Sequence, residues 1–280
     1  MLATQDHALE YGRQGYTVVP GAISSEQVSA LRHECDRFIA LIHQEMDELG
    51  TDVLDISHRG KRYFVELRHR ESSVVTEFIH SEDVARLGQT LLGSDDVYLF
   101  FEQFVVKSPG IGMPFSWHQD SGYLADAGGP EHRPYLTLWC PLVDVGPHNG
   151  SISVLPYERV GGALLRRHWR DPKTNDRIGY DGDDPGEEIT AAAGDVAAFS
   201  SLTLHSSGAN RSDKMRPVYL VQLSSEPILD STTGQPWAFA TPLLRGGKLV
   251  PPDAEQDGDA LARFRRNRPA VGTKPSSAPA

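Results

Sequence analysis

The sequence predicts a mainly β fold in which N-terminal helices pack on an antiparallel sandwich or barrel. Helical periodicity of apolar residues is concentrated in residues 24–93. From residue 97 onward, apolar and β-branched runs follow one another without helical segments between them, and Gly, Pro and Asn separate the runs. Helices first and strands afterwards are typical of a sheet structure that packs against helices, rather than of alternating βαβ units.

The N-terminal part contains a clear helix start signal. Residues 14–20 predict a short strand. Ser24, with Gln27 three positions later, has the spacing of a capping box, in which side chains satisfy free backbone groups at the start of a helix. Apolar side chains then recur at steps of three and four up to Gly50, so we expect an amphipathic helix of about six turns.

A second helix is predicted between Ser81, a residue type that caps helix N-termini, and Gly93, a residue type that ends helices. Between the two helices, residues 57–70 concentrate Arg and His around a short apolar centre. We interpret residues 57–70 as a solvated basic face, with contact to a substrate as the alternative.

The remaining chain supplies the strands of the predicted fold. Five strand segments are expected, at 97–107, 135–145, 152–155, 195–199 and 217–224. Residues 157–190 are polar, and a connection of this length in a compact domain is usually a binding loop or lid, or else disordered. We expect one domain over residues 1–265 and a low-complexity tail, rich in Pro, Ser and Ala, over residues 266–280.

Composition and charge limit the classes of function. The chain of 280 residues carries a formal net charge of −11, which argues against a nucleic-acid partner. It has no apolar run of about 18 residues and no signal-peptide pattern at its start. The two cysteines, Cys35 and Cys140, lie in apolar patterns and predict buried thiols rather than a disulfide. We therefore expect a cytoplasmic protein that acts on a small molecule, with its oligomeric state open.

A His-x-Asp motif indicates the site of chemistry. His118 and Asp120 lie two positions apart, and in extended backbone such side chains point the same way and can reach one ion. His205 offers a third ligand. Two histidines and one carboxylate on one side of a metal form the facial triad of non-haem Fe(II) sites, which leaves the opposite positions open. His-x-Asp by itself is a weak signal, since polar triplets are common in turns.

Two residues near His205 predict a place for an anionic cosubstrate. Arg216 follows His205 by eleven residues, and its planar guanidinium can bind the carboxylate of a keto acid through two hydrogen bonds. Ser207 lies two residues after His205, so it faces the same way and can donate its hydroxyl.

These motifs resemble the phytanoyl-CoA dioxygenase family of Fe(II)/2-oxoglutarate oxygenases. In chain order, the matching motifs are KSPG at 107–110, HQD at 118–120, LTLWCPL at 136–142, NG at 149–150, and HSSGAN at 205–210 followed by Arg216. The resemblance covers roughly residues 14–250, and the ordered set is far more specific than any single motif.

The resemblance implies a double-stranded β-helix (jelly-roll, cupin-like) core with iron at one open end. It also implies that O2 oxidises a substrate while 2-oxoglutarate is decarboxylated to succinate. Seven residues match functional positions of the family: His118, Asp120 and His205 as iron ligands, Arg216 and Ser207 as the group that holds the distal carboxylate of 2-oxoglutarate, and Gln103 and Trp139 as walls of the cosubstrate pocket.

The carboxylate at position 120 bears on the reaction type. Halogenating relatives have Ala or Gly there, so Asp120 favours hydroxylation or a related oxidation. Desaturation, epoxidation, ring closure and epimerisation use the same site and stay open. By analogy with small members of the family, we expect a specialised metabolite or an amino-acid-like compound as substrate.

Two other classes of function stay open. One is a metal-dependent cupin-like enzyme that uses no keto acid, in which Arg216 and Ser207 would have no purpose. The other is a non-catalytic jelly-roll that binds a ligand without turnover. A serine hydrolase is excluded because the sequence around Ser151 lacks the second glycine of a nucleophile elbow.

Other polar residues are expected outside the site. Asp144 and Asp195 flank strand ends, so we expect them to serve turns. The remaining histidines weighed as ligands lack a partner at ligand spacing and are predicted at the surface: His33, His58, His69, His80, His132, His148 and His168.

Overall fold

A computed structural model describes residues 2–54, 56–110, 112–125, 133–171, 176–230 and 232–252 of the chain. The helices are α1 (Gln5–Gln14), α2 (Ser25–Leu49), α3 (Ser73–Ile79), α4 (Glu82–Leu92), α5 (Asp120–Ala125) and α6 (Tyr157–Val160). The strands are β1 (Tyr16–Val19), β2 (Val53–Leu54), β3 (Ser57–His58), β4 (Arg62–Glu66), β5 (Val97–Lys107), β6 (Phe115–His118), β7 (Leu136–Pro141), β8 (Ile152–Leu155), β9 (Trp169–Arg170), β10 (Arg177–Ile178), β11 (Glu187–Glu188), β12 (Val196–Ser200), β13 (Leu204–Ser207), β14 (Arg216–Ser224), β15 (Thr241–Arg245) and β16 (Lys248–Leu249). The predicted domain boundary at residue 265, the tail at 266–280 and His132 lie outside the described residues.

The two helices predicted from capping signals are confirmed. At the start of α2, the backbone N–H of Gln27 donates to Oγ of Ser24 over 3.2 Å, and the backbone N–H of Ser24 donates to Oε1 of Gln27 over 2.9 Å. Gly50 ends this helix with φ of 63°, in the left-handed region that glycine adopts without a steric cost. The helix predicted between Ser81 and Gly93 is α4. The Ser81 side chain accepts from the backbone N–H of Val84 at its start, and Gly93, with φ of 62°, ends it.

Two antiparallel sheets form a double-stranded β-helix. The larger sheet has the strand order β1-β12-β7-β14-β5-β4-β3-β2, with β15 paired to β5 and β16 paired to β15. The smaller sheet has the order β11-β8-β13-β6, and β9 and β10 form a separate hairpin. The mainly β, jelly-roll prediction is therefore confirmed. All five predicted strand segments exist, although the segment at 135–145 is shortened to β7.

The larger sheet separates two apolar cores, because side chains alternate along each strand. On one face, Phe104 and Val106 of β5 pack with the helices, including Phe38 of α2. On the other face, Val105 belongs to a second cluster that includes Val154 of the smaller sheet. Cys35 and Cys140 are buried and unbridged, as predicted. The interior between the sheets is the space in which the site lies.

Part of the prediction for residues 57–70 is wrong. Arg62 is only 2% exposed and His69 only 3% exposed, so neither belongs to a solvated face. Arg62 lies on the inner face of β4, and its Nε donates to the carbonyl of Ile56 over 3.1 Å. His69 packs against Glu102, whose Oε1 accepts from the backbone N–H of His69 over 2.9 Å. Lys61 is exposed, as expected.

Residues 157–190 are more structured than a plain loop. They contain α6, the β9–β10 hairpin and β11. His168 within them is 6% exposed, which contradicts its predicted surface position. Asp144 and Asp195 accept backbone hydrogen bonds from turns, from the N–H groups of Ala193 and Ala192 respectively, as predicted. Whether residues 157–190 act as a lid stays a prediction.

Candidate active site

The three predicted iron ligands converge although 85 residues separate Asp120 from His205 in the chain. His118 ends β6 and Asp120 begins α5, while His205 lies on β13. The strands β6 and β13 are neighbours, and His118 and His205 are paired directly across them. Each of the three residues offers one ligand atom within 4.8 Å of the others. The short spacing of His118 and Asp120 keeps the first two together, although Asp120 begins a helix and is not in the extended backbone that the sequence analysis assumed. Strand pairing supplies the third.

Both histidines are oriented by backbone carbonyls. Nδ1 of His118 lies 2.7 Å from the carbonyl oxygen of Ser116, and Nδ1 of His205 lies 3.0 Å from that of Thr203. Since a carbonyl only accepts, each Nδ1 donates and each Nε2 keeps a free lone pair. Burial, and secondarily the neighbouring His205, holds the pKa of His118 well below its usual value, so this ring stays neutral. A neutral imidazole is the form that binds a metal.

The carboxylate of Asp120 is fixed by two side chains of the larger sheet. Its Oδ2 accepts from Oγ1 of Thr137 over 2.7 Å and from Nε2 of Gln222 over 3.0 Å. Its Oδ1 lies 3.5 Å from Nε2 of His205 and 4.0 Å from Nε2 of His118. One oxygen is therefore held by the protein, while the other faces the imidazoles.

The donor set fits Fe(II). Imidazole nitrogen and carboxylate oxygen suit this ion, and three ligands on one side form a facial triad. Ligand atoms about 2.1 Å from a metal and at right angles lie roughly 3 Å apart. The separations of 3.5 and 4.0 Å from Oδ1 of Asp120 reach that geometry with small side-chain adjustments.

A cavity of about 250 Å³ lies over the triad between the two sheets. All seven residues predicted from the sequence line this cavity: Gln103, His118, Asp120, Trp139, His205, Ser207 and Arg216. The structure thus brings every predicted site residue together. Their individual roles stay predictions.

Arg216 is a buried cation that lines the cavity. It is 2% exposed, and its Nε and Nη1 have no hydrogen-bond partner among the described residues. Burial lowers its pKa to about 9, so it remains charged at neutral pH. The guanidinium carbon lies 5.8 Å from the centre of the Trp139 ring. A buried guanidinium with two free donors needs an anion, and a carboxylate matches this fork.

Lys107, which the sequence analysis named only as the first residue of the KSPG motif and gave no role, is buried. Strand pairing places Lys107 of β5 between Arg62 of β4 and Arg216 of β14. Two arginines and one lysine therefore form a row across the larger sheet. Burial, Arg216 and Arg62 together lower the pKa of Lys107 to about 5. Its Nζ donates to Oγ of Ser207 over 2.7 Å. Ser207 accepts this bond, so its own hydrogen remains available to a ligand.

Thr137 and Gln222 are the functional candidates that the sequence analysis missed. Both are polar residues inside otherwise apolar strands, in LTLWCP and RPVYLVQLS. A polar side chain on the inner face of a buried strand must find a partner, and this pattern could have identified them. Their shared partner is Asp120.

The sequence profile of the phytanoyl-CoA dioxygenase (PhyH) family matches residues 11–218, most of the chain. The chain belongs to the phytanoyl-CoA dioxygenase family. It is a non-haem iron, 2-oxoglutarate-dependent dioxygenase, as predicted, with O2 as oxidant. No helix of the described ranges has the length and apolar character needed to cross a membrane.

Individual relatives agree with this membership in the family. The chain is 27% identical over 252 residues to ectoine dioxygenase of Nocardia farcinica, covering 83% of this chain and 80% of the relative. It is 24% identical over 236 residues to L-proline trans-4-hydroxylase of Streptomyces griseoviridis, covering 77% and 84%. The fold resembles the crystal structure of EctD from S. alaskensis with 2-oxoglutarate and 5-hydroxyectoine, with a TM-score of 0.64, 20% identity and 89% of each chain covered.

Proposed function

We propose that this dioxygenase hydroxylates a small organic substrate, a specialised metabolite or an amino-acid-like compound, with release of succinate and CO2. The observation that carries the proposal is the pairing, in one cavity, of a His-Asp-His cluster with a buried arginine whose Nε and Nη1 have no hydrogen-bond partner in the described part of the chain. The relatives named as acting on ectoine and L-proline support a compact, amino-acid-like substrate.

In this proposal, His118, Asp120 and His205 hold Fe(II), and Arg216 with Ser207 binds the distal carboxylate of 2-oxoglutarate. Iron and 2-oxoglutarate, when bound, would activate O2 for the oxidation of a C–H bond of the substrate. The retained carboxylate of Asp120 occupies the position that a halide would need, which favours hydroxylation.

Hydrogen bonds with neighbouring protein groups orient the three proposed metal ligands. The Ser116 and Thr203 carbonyls hold the imidazoles with Nε2 toward the ion. Thr137 and Gln222 hold Oδ2 of Asp120, so that Oδ1 remains available as a ligand. This fixed arrangement reduces the reorganisation needed when iron and 2-oxoglutarate bind.

Several aromatic residues line the cavity. Phe100 is an extra residue in β5, where the pairing with β14 shifts register between Gln222 and Leu223. Such a bulge redirects a side chain, and here both Phe100 and Phe101 line the cavity. The ring centres of Phe100 and Tyr135 are 4.9 Å apart. We assign this aromatic wall to the carbon skeleton of the substrate.

Charged side chains also line the cavity. Glu66 lies on the inner face of β4, and Arg170 and Arg177 pair across the β9–β10 hairpin. A substrate with both an ammonium and a carboxylate group would find partners of opposite charge on these residues. This arrangement supports an amino-acid-like substrate over a plain hydrocarbon.

The deciding experiment is an anaerobic titration of the purified protein with Fe(II) and 2-oxoglutarate. We expect the weak visible charge-transfer band of an Fe(II)–keto-acid chelate in the wild-type protein and its loss in Asp120→Ala. His148→Ala, at an exposed histidine, serves as the control and should keep the band. Substrates would then be screened by succinate release, beginning with ectoine and L-proline. Bound iron without the band on adding 2-oxoglutarate would refute the proposal and favour a cupin-like enzyme.

A further inference from the structure

Gln119 lies between the two predicted iron ligands of the His-x-Asp motif and is 1% exposed. Gln119 lies between the last residue of β6 and the first residue of α5, and it does not line the cavity that His118 and Asp120 line. A buried amide needs partners for two N–H groups and one oxygen. Its partners therefore show which part of the protein the motif is tied to.

The Gln119 side chain is bonded to two other segments. Its Nε2 donates to the carbonyl of Leu164 over 2.8 Å and to the carbonyl of Leu202 over 2.6 Å. Its Oε1 accepts from the backbone N–H of Arg166 over 2.8 Å. Leu202 belongs to the turn before β13, which carries His205. One side chain thus joins the motif both to the strand of the third ligand and to residues 164–168.

The backbone of Gln119 makes a further bond to the same segment. Its N–H donates to Nε2 of His168 over 3.0 Å. Because Nε2 accepts, Nδ1 of His168 carries the hydrogen, and it lies 2.9 Å from the carbonyl of Arg166. Both ring nitrogens of the neutral His168 therefore make hydrogen bonds.

Two glycines make room for the His168 ring. A Cβ on Gly122 would lie 2.4 Å from the ring, and a Cβ on Gly179 would lie 2.5 Å from it. Neither position could carry a side chain without displacing the imidazole. Gly179 also donates its N–H to the carbonyl of Trp117, directly before His118, over 2.7 Å. The His168 ring is thus enclosed by residues on both sides of the motif.

We propose that Gln119 is a positioning residue that couples segment 164–168 to the metal site. Ordering of the segment fixes the direction of His118 and Asp120, and metal binding in turn orders the segment, since coupling between two sites is reciprocal. The same stretch leads directly into the β9–β10 hairpin, whose Arg170 and Arg177 line the cavity. The proposal rests on the proposed function only in that it takes the triad as the metal site.

The first test uses hydrogen exchange of the metal-free protein, measured by mass spectrometry on peptides that cover residues 161–170. We expect at least tenfold faster exchange of the Arg166 amide in Gln119→Ala than in the wild-type protein, because its acceptor is lost. Arg167→Ala, at an exposed position of the same segment, is the matched control and should exchange at the wild-type rate. Wild-type exchange in Gln119→Ala would overturn the proposal.

The second test uses Co(II) alone, whose visible spectrum reports binding without turnover. Loss of a group that orients metal ligands typically costs about 10–100-fold in metal affinity. We expect that loss in Gln119→Ala and no change in Arg167→Ala. Saturating Co(II) should slow exchange of the Arg166 amide in the wild-type protein and not in Gln119→Ala. Unchanged Co(II) affinity, with the segment deprotected, would overturn the coupling.

Two further controls separate the possible causes of failure. If Gln119→Ala does not fold, Gln119→Met retains most of the side-chain volume while it removes the same hydrogen bonds, and the same results are expected. If the wild-type protein bound no Co(II), the proposed metal site and the coupling would both be wrong. If Co(II) bound normally and only the exchange results failed, the proposed function would stand without the coupling.

Discussion

Nε2 of Gln222 donates a 3.0 Å hydrogen bond to Oδ2 of Asp120 and so ties a predicted iron ligand to an interior strand of the larger sheet. Gln222 also lies 3.2 Å from Oγ1 of Thr137, which binds the same oxygen. The three side chains form one small network. Through this network, the larger sheet sets the direction of the Asp120 carboxylate, although Asp120 begins α5, shortly after strand β6 of the smaller sheet.

Replacing Gln222 with Leu should weaken metal binding without preventing it. The substitution removes one of the two donors to Oδ2, and loss of such a partner costs about 10–100-fold in metal affinity. The measurement is a Co(II) or Fe(II) titration. Gln44→Leu, at an exposed glutamine of α2, is the control and should bind like the wild-type protein. Equal affinity in both variants would show that Thr137 suffices.

Asp120→Ala should abolish succinate release and retain the fold. The carboxylate lies at a cavity, so its removal takes away a ligand but little apolar packing. We expect a melting temperature within a few degrees of wild type and no activity, and the same for His118→Ala. Asp183→Ala, at an exposed carboxylate, should remain active. Activity in Asp120→Ala would rule out the triad assignment.

Arg216→Lys should raise the Michaelis constant for 2-oxoglutarate by about tenfold or more. Lys offers a point charge instead of a fork, and a hydrogen bond to a charged group contributes about 1.5–3 kcal/mol. Binding of pyruvate, a keto acid without a distal carboxylate, should change little in the same variant. If the constants for both keto acids moved equally, Arg216 would not bind the distal carboxylate.

Lys107 should make stability depend on pH in the metal-free protein. Burial, Arg216 and Arg62 lower its pKa to about 5, from 10.5 for an ordinary lysine. Between these values the unfolded chain binds a proton that the native state does not, so the free energy of unfolding rises with pH. Urea unfolding at pH 6 and pH 9 measures this.

In Lys107→Met this contribution is absent, so the difference in free energy of unfolding, wild type minus variant, should increase from pH 6 to pH 9. The comparison cancels the titration of groups that the two proteins share. A difference that stayed constant or decreased would show that Lys107 is protonated in the native protein.

The sequence by itself predicted the residues of the site and the class of reaction. The His-x-Asp spacing of His118 and Asp120 is a local feature of the sequence. In the structure, however, Asp120 is the first residue of α5 and does not continue β6. His205 and Arg216 lie on β13 and β14, in different sheets. Capping signals such as Ser24 are also local, because the cap and the backbone N–H that donates to it lie three residues apart. The helix that Ser24 begins was predicted with its ends correct to about one residue.

Only the tertiary structure decided what surrounds those residues. Strand register between distant parts of the chain places Gln222 beside Asp120 and aligns Arg62 with Lys107. Likewise, His168 is buried where its ring meets the backbone N–H of Gln119, a residue 49 positions away in the chain. A polar residue in a sequence shows that a partner is needed, but which partner it meets follows from packing between segments far apart in the chain.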